Sequence, residues 1–84
     1  MVAFSRTHLI LLSVLSKLEA NSAGKAVSML YINNYCPIGK SYTTLLRAMQ
    51  FLNKNELIQQ GVKDGQFNTY FITTLGMKKL KEML

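Results

Sequence analysis

The chain predicts a mainly helical α+β fold, and three observations carry that prediction. Apolar residues recur at helical spacing through most of its 84 residues. Two β-prone runs, Leu57 to Val62 and Phe67 to Thr73, flank Asp64-Gly65, one of the stronger hairpin signals a sequence carries. A further helical pattern follows the second run at once, so the hairpin stands between helices. The length suits one domain, residues 1–84, near the lower end of what a single core holds together. A hydrophobic share of 49% fits an ordinary globular chain, with no repeat or low-complexity tract.

The first helix is expected to run to about Ala20, capped by Ser5 or Thr7, with Phe4 leading into it. Leu11, Val14, Leu15 and Leu18 share one face, whereas Leu9 and Ile10 point away from it. A helix so apolar all round is either deeply buried or packed on a second chain. Asn21-Ser22-Ala23-Gly24 stops it. A second helix fits from about Lys25 to Asn34, after which Tyr35-Cys36-Pro37-Ile38-Gly39 forces a turn.

The third helix, about Ser41 to Lys54, has the clearest pattern. Tyr42, Leu45, Leu46, Ala48, Met49 and Leu52 share one side, while Lys40, Thr43, Arg47, Gln50 and Lys54 fall in a narrow arc opposite. Thr44 and Phe51 stand at the edge of that arc. Asn55 reads as a left-handed terminator. After the hairpin, Thr73 or Thr74 caps a last helix to Leu84, with Met77, Leu80, Met83 and Leu84 on one side and Lys78 and Lys81 turned away.

Helix, turn, helix, hairpin, helix is the layout of a winged helix–turn–helix: a three-helix core, a β-hairpin wing and a C-terminal helix. The major groove of B-DNA admits one α-helix whose side chains donate to and accept from base edges. A helix with an apolar back and a polar front meets that need. Arg47 and Gln50 suit bidentate base contacts, and Lys40 and Lys54 suit phosphates. Ser41 offers its hydroxyl and nearby N–H groups at the helix start, with Thr43 and Thr44 beside it. Lys63 and Gln66 at the hairpin tip are placed to reach a phosphate or the minor groove. The bland alternative is a solvated helix face. A net charge of +6, from ten Lys and Arg against four Asp and Glu, favours a polyanionic partner and so the DNA reading.

Two stretches resemble winged-helix transcription regulators of the MarR and PadR type. Leu45-Leu46-Arg47-Ala48-Met49-Gln50-Phe51-Leu52, followed by Leu57-Ile58, is similar to their recognition helix running into the first wing strand. Tyr70-Phe71-Ile72-Thr73-Thr74-Leu75-Gly76 is similar to their Tyr-x-Leu-Thr-x-x-Gly passage from second strand to next helix. The resemblance covers roughly residues 25 to 84 and implies a homodimer on double-stranded DNA. The first and last helices would then supply the dimer contacts, with Leu9, Ile10 and Met83 as candidates. Two departures stand out. Glu56 replaces the usual glycine before the Leu-Ile pair, which leaves the tight turn to Asn55. The wing carries Lys63 and no arginine.

Other chemistry finds little support. One cysteine, Cys36, builds neither an internal disulfide nor a cysteine metal site, and reads as a small buried hydrophobe. His8 is the sole histidine, and Glu19, Glu56, Asp64 and Glu82 are scattered, so no triad, carboxylate pair or metal cluster is expected. Gly39-Lys40-Ser41 has the ending of a phosphate-binding loop, but Asn34 stands where the first glycine belongs. Tyr42, Phe67, Tyr70 and Phe71 read as core residues rather than base-stacking platforms, and Phe51 has no evident role. Lys17 and Glu19 argue against a cleaved signal at the apolar N-terminal run, which is also too short to span a bilayer. The expectation is a cytoplasmic DNA-binding transcription regulator, not an enzyme, with no cofactor, metal, membrane or small-molecule ligand. The alternatives are a winged helix used for protein interaction, and a plasmid or phage replication or partition protein.

Overall fold

The computed structural model describes residues 5–35, 41–63 and 65–83. In chain order these form α1 (Arg6–Lys17), a 3-10 turn (Ala23–Lys25), β1 (Val27–Ser28), α2 (Met29–Tyr35), α3 (Tyr42–Lys54), β2 (Ile58–Gln60), β3 (Thr69–Ile72) and α4 (Thr74–Met83). The strands make one antiparallel sheet in the order β1-β3-β2. This is a winged helix–turn–helix: α1 to α3 form the helical core, β2 and β3 the wing, and α4 closes the back. Phe4, the Cys36-to-Gly39 turn, Lys40, Asp64 and Leu84 lie outside the described residues.

Ser5 caps α1. Its Oγ accepts from the His8 N–H at 3.3 Å, and His8 Nδ1 accepts from the Ser5 N–H at 3.0 Å, a reciprocal capping box with histidine in the usual Glu position. α1 buries Leu11, Leu12, Val14 and Leu15 against α3, α4 and β3. That face of so apolar a helix is buried within the chain, while Ile10 stays part-exposed. Leu9, expected to point away, is half-buried against the core.

α1 ends at Lys17, short of the expected Ala20. Glu19 takes the left-handed conformation at φ 58°, its N–H bonds the Ser16 carbonyl, and the Ala20 N–H bonds the Leu15 carbonyl. That pair of bonds is a Schellman motif, which frees Ala20 to hold β3 through its carbonyl, 2.7 Å from the Ile72 N–H. α3 ends the same way. Asn55 stays at φ −92° and its side-chain amide donates to the Phe51 carbonyl, while Glu56 turns left-handed at φ 63°. The left-handed position thus falls one residue later than the sequence suggests, on the residue that replaces glycine.

The second helix is shorter than expected. Val27 and Ser28 are not helical but pair with Tyr70 and Thr69 of β3, and α2 starts at Met29. β-branched Val27 suits a strand, and Ser28 Oγ accepts from the Tyr31 N–H, starting the helix at the residue after the strand. Both wing strands are also shorter than their β-prone runs. Tyr70 lies at the centre of the sheet, opposite Val27 and Gln60, and is buried with Leu11, Leu12, Ile32, Met49, Leu52, Ile58 and Ile72.

A joint couples α3, the wing and α4. Thr73 Oγ1 donates to the Glu56 carbonyl at 2.8 Å and accepts from the Gly76 N–H at 3.0 Å, so Thr73 caps α4. The Thr73 N–H bonds the Leu57 carbonyl. Gly76 packs so closely there that a Cβ would overlap the Leu57 carbonyl oxygen and lie 2.8 Å from Ile72 Cγ1. The glycine of the Thr-x-x-Gly pattern therefore marks a backbone crossing.

Candidate nucleic-acid interface

α3 is built as the sequence indicates, and its two faces separate cleanly. Leu45, Ala48, Met49 and Leu52 are buried, whereas Thr43, Thr44, Arg47, Gln50 and Lys54 are exposed. Thr43 to Lys54 spans about 16 Å at 1.5 Å per residue, a reach of roughly three helical turns. Ser41 Oγ accepts from the Thr44 N–H at 3.2 Å, and the Ser41 and Thr44 hydroxyl oxygens are 3.0 Å apart. Both hydroxyls are thus engaged in capping the exposed end of α3. Lys40 lies outside the described residues.

Two aromatic placements differ from expectation. Tyr42, assigned to the apolar side, is 36% exposed in the first turn of α3. Phe51, without a role in the sequence, is partly buried against the core and stacks on His8, centroids 4.2 Å apart and planes at 14°. The stack joins the start of α1 to the shoulder of the polar arc, one helical turn from Arg47. Burial there lowers the His8 pKa below its ordinary 6.5 and favours the neutral ring that Nδ1 needs as an acceptor.

The wing presents Lys63 and Gln66 to solvent, and Gly65 takes φ 63° at the turn. Its base is clamped. Thr69 Oγ1 donates to the Val62 carbonyl at 2.7 Å, and the Gly61 N–H donates to the Thr69 carbonyl at 3.0 Å. A Cβ on Gly61 would stand 2.7 Å from Ala26 Cβ and 3.2 Å from the Ala23 carbonyl oxygen, so the Ala23–Ala26 turn is folded against the wing. Exposed Lys25 rides on that turn. Sequence reasoning missed it by placing Lys25 at a helix start; Gly61 at a strand end was the available sign of a close approach.

The candidate dimer residues belong to other helices, α1 and α4. Ile10 lines a shallow cleft with Ser13, Val14, Lys17 and Tyr35 between α1 and α2, and Met83 is 37% exposed near the end of α4. Leu9 is turned partly into the core, which leaves Ile10 and Met83 as the more outward pair. Among the described residues no three His, Cys, Asp or Glu side chains cluster as metal ligands. No helix among them is long and apolar enough to cross a membrane.

Fold and surface together define a winged helix–turn–helix with an exposed, basic and polar third helix. Solved structures share the architecture. TubR from Bacillus megaterium pBM400 superposes with a TM-score of 0.82 at 19% identity, over 95% of this chain and 86% of that one. The DNA-binding TubR fragment from Clostridium botulinum gives 0.71 at 21% identity over the whole of both chains. A zinc-responsive MarR family member, ZitR of Lactococcus lactis, gives 0.71 at 19% identity, over 98% of this chain and 52% of that one. No family model and no curated protein matches the sequence.

Proposed function

We propose that this chain binds double-stranded DNA sequence-specifically and acts as a transcription regulator, with α3 in the major groove and the wing on the neighbouring backbone. The observation that carries this reading is the split of α3 into a buried apolar face and an exposed Thr43, Thr44, Arg47, Gln50 and Lys54 face on a chain of net charge +6. Likeness to a fragment described as DNA-binding supports it. In this reading Arg47 and Gln50 read base edges, Lys54 and Lys40 meet phosphates, Ser41 and Thr44 approach a phosphate at the helix start, and Lys63 and Gln66 hold the backbone. A plasmid or phage replication or partition protein would use the same surface, and is the variant of this function within DNA binding. The working form is a homodimer through α1 and α4, acting in the cytoplasm where its DNA lies.

The test is binding to random and site-selected duplexes across a salt series. Affinity is expected to fall steeply as salt rises, because phosphate contacts release counterions. Arg47→Ala should lose about 1–3 kcal/mol of discrimination between sequences, while Lys63→Ala should weaken binding to all duplexes alike. No binding at low salt would assign the fold to protein interaction instead.

A further inference from the structure

The sequence gives the wing almost no net charge of its own, since Lys63 is followed by Asp64. The fold adds what the hairpin lacks. The Ala23–Ala26 turn, far away in sequence, is pressed onto Gly61 at the wing base and carries exposed Lys25. One residue beyond that contact, Val62 is 81% exposed, although its carbonyl is fixed by the Thr69 hydroxyl. An isolated exposed valine is ordinary. A β-branched side chain on a clamped backbone stands here as a small apolar contact, with one lysine on the next residue and another on the adjoining turn.

That alternation matches one partner. The edge of a nucleic-acid groove offers apolar deoxyribose faces between phosphates, and proteins that follow the minor groove use apolar side chains beside basic ones. We infer that Lys25, Val62 and Lys63 form a sugar–phosphate cradle, in which Val62 packs on deoxyribose and the two lysines meet flanking phosphates. The inference rests on the DNA-binding reading and adds to it a contact made by a turn outside the hairpin. Binding there is indifferent to base identity and anchors the wing while α3 reads sequence.

The experiment compares wild type, Lys25→Gln and Val62→Thr in fluorescence anisotropy with one duplex over a salt series. Both positions are exposed, and unchanged melting temperatures verify that the variants fold. Lys25→Gln should weaken binding and lower the slope of log affinity against log salt by about 0.9, one phosphate contact. Val62→Thr keeps the branched shape and replaces a methyl with a hydroxyl; it should weaken binding about threefold with the salt slope unchanged. An unchanged slope in Lys25→Gln, or an unchanged affinity in Val62→Thr, on a wild type that binds DNA overturns the cradle and leaves the major-groove reading standing. A wild type that binds no duplex overturns both.

Discussion

Glu19 and Glu56 share an uncommon backbone state. Each occupies the left-handed position of a Schellman motif, where glycine is the usual choice, at φ 58° and 63°. A side chain in that conformation costs about 1–2 kcal/mol, part of which glycine's extra freedom in the unfolded chain would offset. Glu56→Gly is therefore expected to raise stability by about 1 kcal/mol in chemical denaturation, with the Thr73 hydroxyl bond to the residue 56 carbonyl kept. Gly76→Ala should act in the opposite sense. Its methyl would enter the Leu57 carbonyl, and the backbone there is held by the Thr73 N–H, so a loss of about 1–3 kcal/mol is expected in the same assay. Equal stability for Gly76→Ala and wild type would show that α4 can slide away from the wing strand.

At the scale of elements, α3 and the wing were legible because each is governed by local rules. A 3.6-residue period with a Ser cap defines α3, and Asp-Gly between β-prone runs defines the hairpin. β1 was not legible: two residues leave no period to read, and Val27 and Ser28 are extended only because β3 offers them partners. The same holds for Lys25 and Phe51, whose surroundings come from the Gly61 approach and the His8 ring. The His8–Phe51 stack ties α1 to α3 and gives that pairing a pH dependence. Burial lowers the folded-state pKa of His8, so the unfolded chain takes up the proton first as pH falls below about 6.5. The contribution is complete above that pH and is lost as pH drops toward the folded value. Melting temperature should fall as pH drops below about 6.5, and His8→Phe, which keeps a ring on Phe51, should flatten that part of the profile. An unaltered profile in His8→Phe would place the responsible group elsewhere.

For the whole molecule, the exposed polar arc belongs to α3 and exposed Lys63 and Gln66 to the wing, while the outward apolar residues Ile10 and Met83 belong to α1 and α4. The proposed homodimer uses that division: two copies meet through the back helices and leave both α3 faces free for successive half-sites. Ile10→Asp with Met83→Asp should yield a monomer in sedimentation analysis and abolish preference for palindromic over single half-sites, while leaving weak binding to one half-site. A dimer that survives the double change would move the contact to another surface. Consider then what the Thr73 joint means for such a pair. One hydroxyl fastens the turn after α3 to the first turn of α4, and Gly76 permits no gap between them. α3 and α4 are in effect the two arms of a fixed bracket. In the proposed dimer on DNA, the number of base pairs between half-sites would be a property of that bracket's angle, held by residues 56, 57, 73 and 76, none of which needs to touch DNA. Evolution at these four positions would retune the spacing of an operator without rewriting its letters.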